Sequence, residues 1–398
     1  MYSNHRNHFF IILILGALST VSPFSIDMYL PSFPQIAADL HCATARVSLS
    51  LSSYFIGMAF GQIFYGPLLD HFGRKPPLYA GLVLFILASI GCLNSHSVEM
   101  LIAFRFLQSL GGCAAGVASM AMVRDFFPVK ESAKIFSLLM LILSVSPMLA
   151  PSFGSFVVLT LGWKWIFAIL ASIVFLILVI TFLFLPEGHK PNPKATLSLK
   201  KILGDYAMIL KEPKFHTYAI AGSLSFAGLF AYIAGSPVIF LDVYHVGTKF
   251  YGAIFAFLAA GFIGASQVNI LLMKRYSSEQ LFRGALLGQS LVGVLFFIFA
   301  LAGWLNLTGT LLFLFAFLAC AGISNPNTAA LALAPFGNHA GSAAALVGCM
   351  QIGIGSLASA GVGLFNAQSV LPTAAILAGT ALIGYLALIL GQRKAVRN

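Results

Sequence analysis

The chain alternates between long apolar runs and short polar breaks, and this alternation predicts its architecture. Each apolar run is about twenty residues long, which is the length of an α-helix that crosses a bilayer. We therefore predict an all-α polytopic membrane protein. Its twelve predicted spans are residues 9–31, 46–69, 77–94, 98–122, 135–159, 163–185, 217–241, 249–272, 283–303, 307–333, 341–366 and 371–391.

Composition and charge placement support this prediction and orient the chain. The 398 residues are 59% hydrophobic and 8% charged, and a soluble globule of this length cannot cover so much apolar surface. Arg105 lies within a span, and of the other Lys and Arg only Arg46, Lys164 and Lys249 fall in the loops on one side. The positive-inside rule then places both termini in the cytoplasm. The net charge of +11 is a topogenic signal, and nucleic-acid binding is not indicated.

Two alternative readings of the composition are less favoured. The first apolar run, after Arg6, is too long for a typical signal-peptide core, and removing it would leave an odd number of spans. We therefore expect a retained helix. The five cysteines lack a CxxC spacing, and the nine histidines fall in loops or at helix edges, so we predict neither a disulfide framework nor a metal site.

A basic, proline-containing segment divides the spans into two groups of six. We predict an N-terminal bundle (1–185), a cytoplasmic linker (186–216) and a C-terminal bundle (217–398). Within the linker, the stretch LSLKKILGDYAMILK fits either an amphipathic helix on the membrane surface or a solvated basic loop. Two similar bundles, with a binding site between them near the middle of the membrane, are typical of secondary transporters.

Three stretches of the first six helices carry unusual residues. GPLLDHFGRKPP, residues 66–77, lies between helices 2 and 3, where its glycines allow a tight reversal. RFLQSLGGCAAG, residues 105–116, lies in helix 4, which closes with VRDFFP. SPMLAPSFGSF in helix 5 places Pro147 and Pro151 four residues apart with Gly154 beyond them, so we predict a hinge at these three residues.

Together these stretches resemble the motifs of the major facilitator superfamily. The first resembles its signature loop, the second its Arg-x2-Gln-Gly motif, and the third its antiporter motif, with small residues in place of two glycines. DMYLP at the end of helix 1 and NPNTAALAL in helix 10 resemble the branch of bicyclomycin and chloramphenicol efflux transporters (Bcr/CflA-type). The resemblance implies the major facilitator fold, with two pseudo-symmetric six-helix bundles. It also implies a cytoplasmic latch formed by Gly66, Asp70, Gly73, Arg74 and Arg124.

Asp27 and Arg105 are the clearest ionisable residues within the spans, and a membrane-embedded charge suggests function. Asp27 lies four residues from the predicted outer end of helix 1, about 6 Å deep, and Arg105 lies about 10 Å deep in helix 4. The two can therefore line one cavity at the same level, whether or not they touch. We predict that both take part in proton coupling. A structural acid at the aqueous rim is the alternative for Asp27.

Around these charges we expect an apolar, adaptable pocket of aromatic, Met and amide side chains. Helix packing explains each residue taken singly, so only the set favours a pocket. The candidates are Tyr29, Tyr54, Met58, Gln108, Met148, Phe226, Tyr232, Gln267, Asn325 and Met350.

The predicted function is export of small hydrophobic or amphipathic drugs across a bacterial inner membrane in exchange for protons. The sequence has no nucleotide-binding motif, so the expected energy source is the proton-motive force, without a cofactor. We expect a monomer that contacts lipid, protons and small molecules. A dedicated exporter of one metabolite, such as a siderophore, sugar or amino acid, remains the alternative. A membrane enzyme is disfavoured because the spans lack a Ser/His or paired-carboxylate constellation, and a sensor is disfavoured by the short loops.

Overall fold

In the computed structural model the chain is helical, and residues 5–188, 204, 207–336, 340–365 and 369–397 are described. Eleven of the described helical segments are long and apolar enough to cross a membrane, and α5 contributes a shorter apolar stretch, Val145–Thr160. The prediction of twelve helical spans is confirmed. The helices are α1 (His5–Asp27), α2 (Thr44–Phe72), α3 (Lys75–Leu93), α4 (Val98–Phe126), α5 (Val129–Thr160), α6 (Lys164–Phe184), α7 (Pro213–Pro237), α8 (Thr248–Leu272), α9 (Ser278–Leu301), α10 (Leu307–Leu333), α11 (Ala340–Leu364) and α12 (Leu371–Arg397).

The helix packing repeats after six helices. In the first half α1 packs on α4 and α5, and in the second half α7 packs on α10 and α11. The α2–α4, α3–α4 and α3–α6 pairs likewise recur as α8–α10, α9–α10 and α9–α12. The fold is therefore two pseudo-symmetric six-helix bundles. The boundaries at 185 and 217 stay a prediction, and the proposed amphipathic helix falls mostly on residues 189–203 and 205–206, outside the described part of the chain.

The two ends of the bundles carry different connections. We call the end with the α2–α3 turn and the segment between α6 and α7 the basic end, and the opposite end the far end. At the basic end Gly73 has φ 87° and ψ 172°, a conformation that essentially only glycine adopts. This residue permits the tight reversal that the sequence predicted.

At the far end the chain covers the bundle in a way that the sequence did not predict. Helix α1 ends at Asp27, and the chain continues as a short 3₁₀ helix, Leu30–Ser32, and a short α-helix, Phe33–Asp39. Proline has no backbone N–H to donate and is favoured in the first turn of a helix, so Pro31 fits the start of a new helix after α1 ends. The indole of Trp163 donates to Asp39 Oδ2 at 2.6 Å and anchors this segment.

The bundles meet mainly through the α2–α11 and α5–α8 pairs. Toward the far end, Ser52 Oγ and Ser359 Oγ lie 2.7 Å apart across the interface. Nearer the centre, the rings of Phe55 and Phe230 pack edge to face, with centroids 4.5 Å apart. Gly252 of α8 lies so close to Ser152 of α5 that a side chain there would clash. These contacts join the bundles on the far side of the central space.

Candidate functional site in the bundle interface

Asp27 lies at the junction between α1 and the covering segment, inside the protein. Its exposed fraction is 4%, and the following residue, Met28, is fully buried. Gly154 of α5 approaches the Met28 carbonyl so closely that a Cβ there would overlap it. The α5 glycine thus lets α5 pack directly against the end of α1. Asp27 is therefore held in the protein interior and does not project into bulk water.

The Asp27 side chain lines a cavity of about 340 Å³ between the two bundles. Among the described residues, Asp27, Leu143 and Pro147 are the ones that come from the N-terminal bundle. The C-terminal bundle supplies a wall that is mostly aromatic and aliphatic: Phe226, Leu229, Tyr232, Ile233, Phe255, Ala259, Phe262, Ile263, Leu318 and Asn325. A volume of this size, with mainly apolar walls and few polar groups, is typical of a small-molecule site. We call it the Asp27 cavity.

Two polar groups accompany the carboxyl group in this cavity. The Tyr232 hydroxyl is buried and has no hydrogen-bond partner among the described residues. Asn325 Oδ1 accepts a hydrogen bond at 3.0 Å from Gln351 Nε2, so its orientation is fixed from behind. A buried hydroxyl without a partner leaves a donor and an acceptor available to a ligand.

Arg105 lies elsewhere, in the core of the N-terminal bundle. It is fully buried, and its Nη1 donates to Ser25 Oγ at 2.9 Å and to Gln108 Oε1 at 2.6 Å. The guanidinium carbon lies 4.5 Å from the ring centroid of Tyr29 and 4.2 Å from that of Tyr54. Neutral hydrogen-bond acceptors and aromatic faces thus surround the cation.

The two ionisable residues are therefore not in contact in this conformation. Within the described part of the chain, neither Asp27 nor Arg105 forms an ion pair. Tyr29, Tyr54 and Gln108, which the sequence assigned to the pocket, lie around Arg105, and the walls of the Asp27 cavity do not include them.

The remaining predicted pocket residues are dispersed. Phe226, Tyr232 and Asn325 lie on the wall of the Asp27 cavity, where Pro147 of the predicted hinge also lies. Met58 lines a second cavity nearer the basic end, together with Gly66. Gln267 and Met148 are exposed, and Met350 is partly buried against the core of the C-terminal bundle.

Sequence reasoning missed most of the C-terminal wall of the cavity. In α7 the wall residues Phe226, Leu229 and Ile233 follow a helical spacing of three and four. In α8, Phe255 and Phe262 share one face in the same way. Such stripes could have been noticed, but the same spacing also describes faces that pack on lipid or on another helix.

At the basic end, Arg74 is the centre of an ionic cluster that we call the latch. Its Nη1 donates to Asp70 Oδ1 and its Nε to Asp125 Oδ2, each at 2.7 Å. Its backbone N–H donates to Glu187 Oε1 at 2.6 Å. The cluster thus ties the α2–α3 turn to the ends of α4 and α6, with Asp125 and Glu187 as members that the sequence did not suggest.

The surroundings of two other predicted latch residues, Arg124 and Gly66, are as follows. Arg124 belongs to the last turn of α4 and is exposed, next to Asp125. A Cβ added at Gly66 would meet no atom within 4 Å, so close helix packing does not require glycine there. Gly66 instead borders open space on a cavity wall.

The chain belongs to the Major Facilitator Superfamily, because the model of that family matches residues 15–360. It is therefore a multi-pass membrane transporter of small molecules, not an enzyme, and such transporters use ion gradients without a cofactor.

Similar proteins include several bacterial transporters. The MFS-type transporter YdgK of Bacillus subtilis (strain 168) is 34% identical over 94% of this chain and 93% of its own length. The bicyclomycin resistance protein homolog of Haemophilus influenzae is 32% identical over 89% of both chains. The multidrug resistance protein MdtL of Shewanella oneidensis is 29% identical over 86% of this chain and 85% of its own.

Solved structures support the fold. The nucleoside transporter NupG superposes with a TM-score of 0.76 at 14% identity, covering 96% of this chain and 99% of NupG. A D-xylose–proton symporter superposes with a TM-score of 0.70 at 16% identity, covering 95% of this chain and 97% of the symporter. At these identities the likeness concerns the fold alone.

Proposed function

We propose that the protein exports small hydrophobic or amphipathic drugs across a bacterial inner membrane in exchange for protons. The observation that supports this most is the Asp27 cavity, in which one carboxyl group faces a mostly apolar wall between the two bundles. In such a site, an apolar ligand and a proton can bind within the same cavity.

The character of the walls favours hydrophobic cargo. Aromatic and aliphatic side chains bind varied apolar ligands without strict geometry. A dedicated exporter of a sugar or amino acid would need several convergent polar groups, whereas the polar side chains among the described lining residues are Asp27, Tyr232 and Asn325. The names of two relatives, a bicyclomycin resistance homolog and a multidrug resistance protein, point in the same direction.

Asp27 is suited to the proton-coupling role by its position. It is the only carboxyl group among the described residues that line the cavity. An ionised carboxylate in apolar surroundings costs far more than a neutral carboxyl group, so its protonation state biases how the surrounding helices pack. Because Asp27 belongs to one bundle and most of the opposing wall to the other, rocking of the bundles changes its surroundings.

We place the basic end in the cytoplasm, with both termini there, because the positive-inside rule requires it. The contacts between Ser52 and Ser359 then lie toward the periplasmic side. In this orientation the two bundles are in contact with each other at the periplasmic end. We expect the transporting unit to be a monomer, since the two bundles of one chain together supply the described walls of the Asp27 cavity.

The test is Asp27→Asn in proteoliposomes that contain a pH-sensitive dye. In the native protein, adding bicyclomycin or chloramphenicol should drive proton movement. Asn cannot exchange a proton, so in the variant this movement should fall to background.

Glu99→Gln is the matched control, because Glu99 forms an exposed ion pair with Arg46 and is not among the described residues that line the cavity. Full drug–proton exchange in Asp27→Asn would contradict the coupling role. Absence of exchange with every drug tested in the native protein would contradict drug export itself.

A further inference from the structure

A second cavity lies between the bundles, closer to the basic end than the Asp27 cavity. Its volume is about 520 Å³. The N-terminal bundle supplies most of the wall and α11 supplies the rest. The lining residues are Ser19, Ser22, Pro23, Met58, Gln62, Gly66, Cys113, Gly116, Val117, Met120, Leu143, Ala344, Ala345 and Gly348. We call it the inner cavity.

The inner cavity differs from the Asp27 cavity in charge. Its described walls contain no Asp, Glu, Lys, Arg or His. Two methionines, Met58 and Met120, provide flexible and polarisable contacts that adapt to irregular ligands. Gln62 and two serines provide neutral hydrogen-bonding groups. This combination suits molecules that are amphipathic and uncharged, because an ion would be desolvated there without a counter-charge.

One side chain, Leu143 of α5, borders both cavities. It lies one helical turn before Pro147, which lines the Asp27 cavity. The two cavities therefore adjoin at Leu143.

We propose that the inner cavity is a separate loading site for uncharged amphipathic molecules, and that Leu143 is the partition between this site and the Asp27 cavity. The inference rests on the proposed function, since it describes how cargo reaches the acid. Because α11 contributes Ala344, Ala345 and Gly348, rocking of the C-terminal bundle changes the volume of the loading site.

A thiol placed in the inner cavity tests occupancy directly. A Cβ at Gly116 meets no atom within 4 Å, so Gly116→Cys adds a thiol to open space without a clash. The full chain in nanodiscs is treated with N-ethylmaleimide, and modification at position 116 is followed by mass spectrometry, with fragment ions that separate it from native Cys113 of the same cavity. The uncharged probe is N-phenyl-1-naphthylamine. At about ten times its Kd it leaves roughly one site in ten free, so labelling should slow about tenfold.

Gly284→Cys is the control, because Gly284 lies on the exposed side of α9 and a Cβ there also meets no atom within 4 Å. Its labelling should not change with the probe. Adding Asp27→Asn to Gly116→Cys should leave the protection intact, because labelling does not require coupling. Tetraphenylphosphonium, a lipophilic cation, should protect much less. A Gly116→Cys thiol that does not react, lack of protection by the uncharged probe, or equal protection by the cation would each overturn the proposal.

Leu143→Trp tests the partition. The larger ring should obstruct passage between the two cavities, so transport should fall at least about tenfold while protection of Gly116→Cys persists. Leu149→Trp is the control on the same helix, because Leu149 is 58% exposed. Native transport rates in Leu143→Trp, or loss of protection together with transport, would remove Leu143 from this role. Protection of the Gly116→Cys thiol is measured without transport. If drug–proton exchange fails, the protection experiment therefore still tests the loading site.

Discussion

The two bundles bury different polar cores between equivalent helices of the repeat. In the N-terminal bundle, Arg105 of α4 binds Ser25 of α1 and Gln108. In the C-terminal bundle, the hydroxyl of Ser225 of α7 lies 2.5 Å from Gln289 Oε1 of α9 and 2.8 Å from Ser324 Oγ of α10. The Gln108 amide also donates to Ser89 of α3. Equivalent sets of three helices thus hold a cation close to the far end in one half and a neutral network nearer the middle of the helices in the other.

The difference assigns different tasks to the two halves. The neutral network satisfies its own hydrogen bonds, since Gln289 Nε2 also donates to the Ser225 carbonyl at 3.1 Å. The cation has no ion-pair partner within the described part of the chain, and its Nε has no hydrogen-bond partner there. The central acid also belongs to the N-terminal bundle, while most of the apolar wall belongs to the other. We infer that charge handling is concentrated in the first bundle, whereas ligand contact within the Asp27 cavity comes mostly from the second.

Replacing Arg105 by Gln is the strongest way to break this comparison, because it gives the N-terminal core the neutral character of its counterpart. Hydrogen bonds to a charged group are worth about 1.5–3 kcal/mol, so we expect transport to fall roughly 10- to 100-fold. The helices should still pack, since the amide can bond to Ser25. Transport in proteoliposomes and thermal unfolding in detergent measure the two effects.

Arg46→Gln is the matched control, because Arg46 forms an exposed pair with Glu99. Native transport in Arg105→Gln would show that the buried cation has no part in the cycle. Unfolding of Arg105→Gln together with loss of transport would assign it a structural role instead.

At the basic end, the latch allows a second test of what charged residues contribute to the first half of the protein. Burial alone lowers the pKa of Arg74, but hydrogen bonds and charge interactions with Asp125 and Asp70 outweigh this and raise it. Because the pKa of Arg74 is raised in the folded protein, its ion pairs contribute their full stability at any pH below the ordinary pKa of arginine. That contribution is lost only as the pH rises through the raised pKa. Arg74 therefore stays charged at every working pH, and the pH dependence of transport should not originate from this arginine.

Asp125→Asn should slow turnover about fivefold and leave drug affinity unchanged, since it weakens a largely buried ion pair away from the cavity. Asp70→Asn should have a smaller effect, because the Asp70 side chain is 61% exposed and water screens its interaction. Initial rates and equilibrium binding separate the two quantities. A loss of affinity with normal turnover in Asp125→Asn would contradict a conformational role for the latch.

The neutral core should respond differently from the charged one. Gln289→Ala removes two interhelical hydrogen bonds, and such bonds in membrane proteins are worth about 0.6 kcal/mol each on average. We expect a free energy of unfolding lower by about 1 kcal/mol and transport within about threefold of native. The double variant with Ser225→Ala should lose less than the sum of the two single changes, because they share one network. Additive losses would show that the network is not a unit.

The parts of the fold that sequence could predict are those that the bilayer imposes. Apolar length alone determined the twelve helices, and the acid in DMYLP stood out because carboxylates are rare in hydrocarbon. The glycine turn was predicted from GPLLDHFGRK, and the latch at Arg74 was implied by the resemblance of this stretch to the signature loop of the major facilitator superfamily. Each of these depends on a local pattern.

The remaining features depend on how the helices rotate against one another. Tyr54 and Phe226 both lie on apolar helix faces, yet one covers Arg105 and the other lines the Asp27 cavity. In a membrane, lipid and protein neighbours are similarly apolar, so hydrophobicity does not reveal which face points inward. The covering segment was also missed, because its short helices depend on a contact between Trp163 and Asp39.

The smallest expected effect concerns the contact between the bundles. Ser359 Oγ bonds to Ser52 across the interface, whereas Ser356 Oγ on the same helix bonds to the carbonyl of Gly353 in its own helix. Ser359→Ala should therefore weaken closure of the far end by about 0.6 kcal/mol, an increase of roughly threefold in the population open at that end, and Ser356→Ala should not. Spin labels at the exposed residues Leu161 and Trp304 report the distance between the bundles at that end. Equal distance distributions for both variants would mean that this hydroxyl pair does not contribute to closure, and that apolar contacts such as Phe55 with Phe230 hold the bundles together.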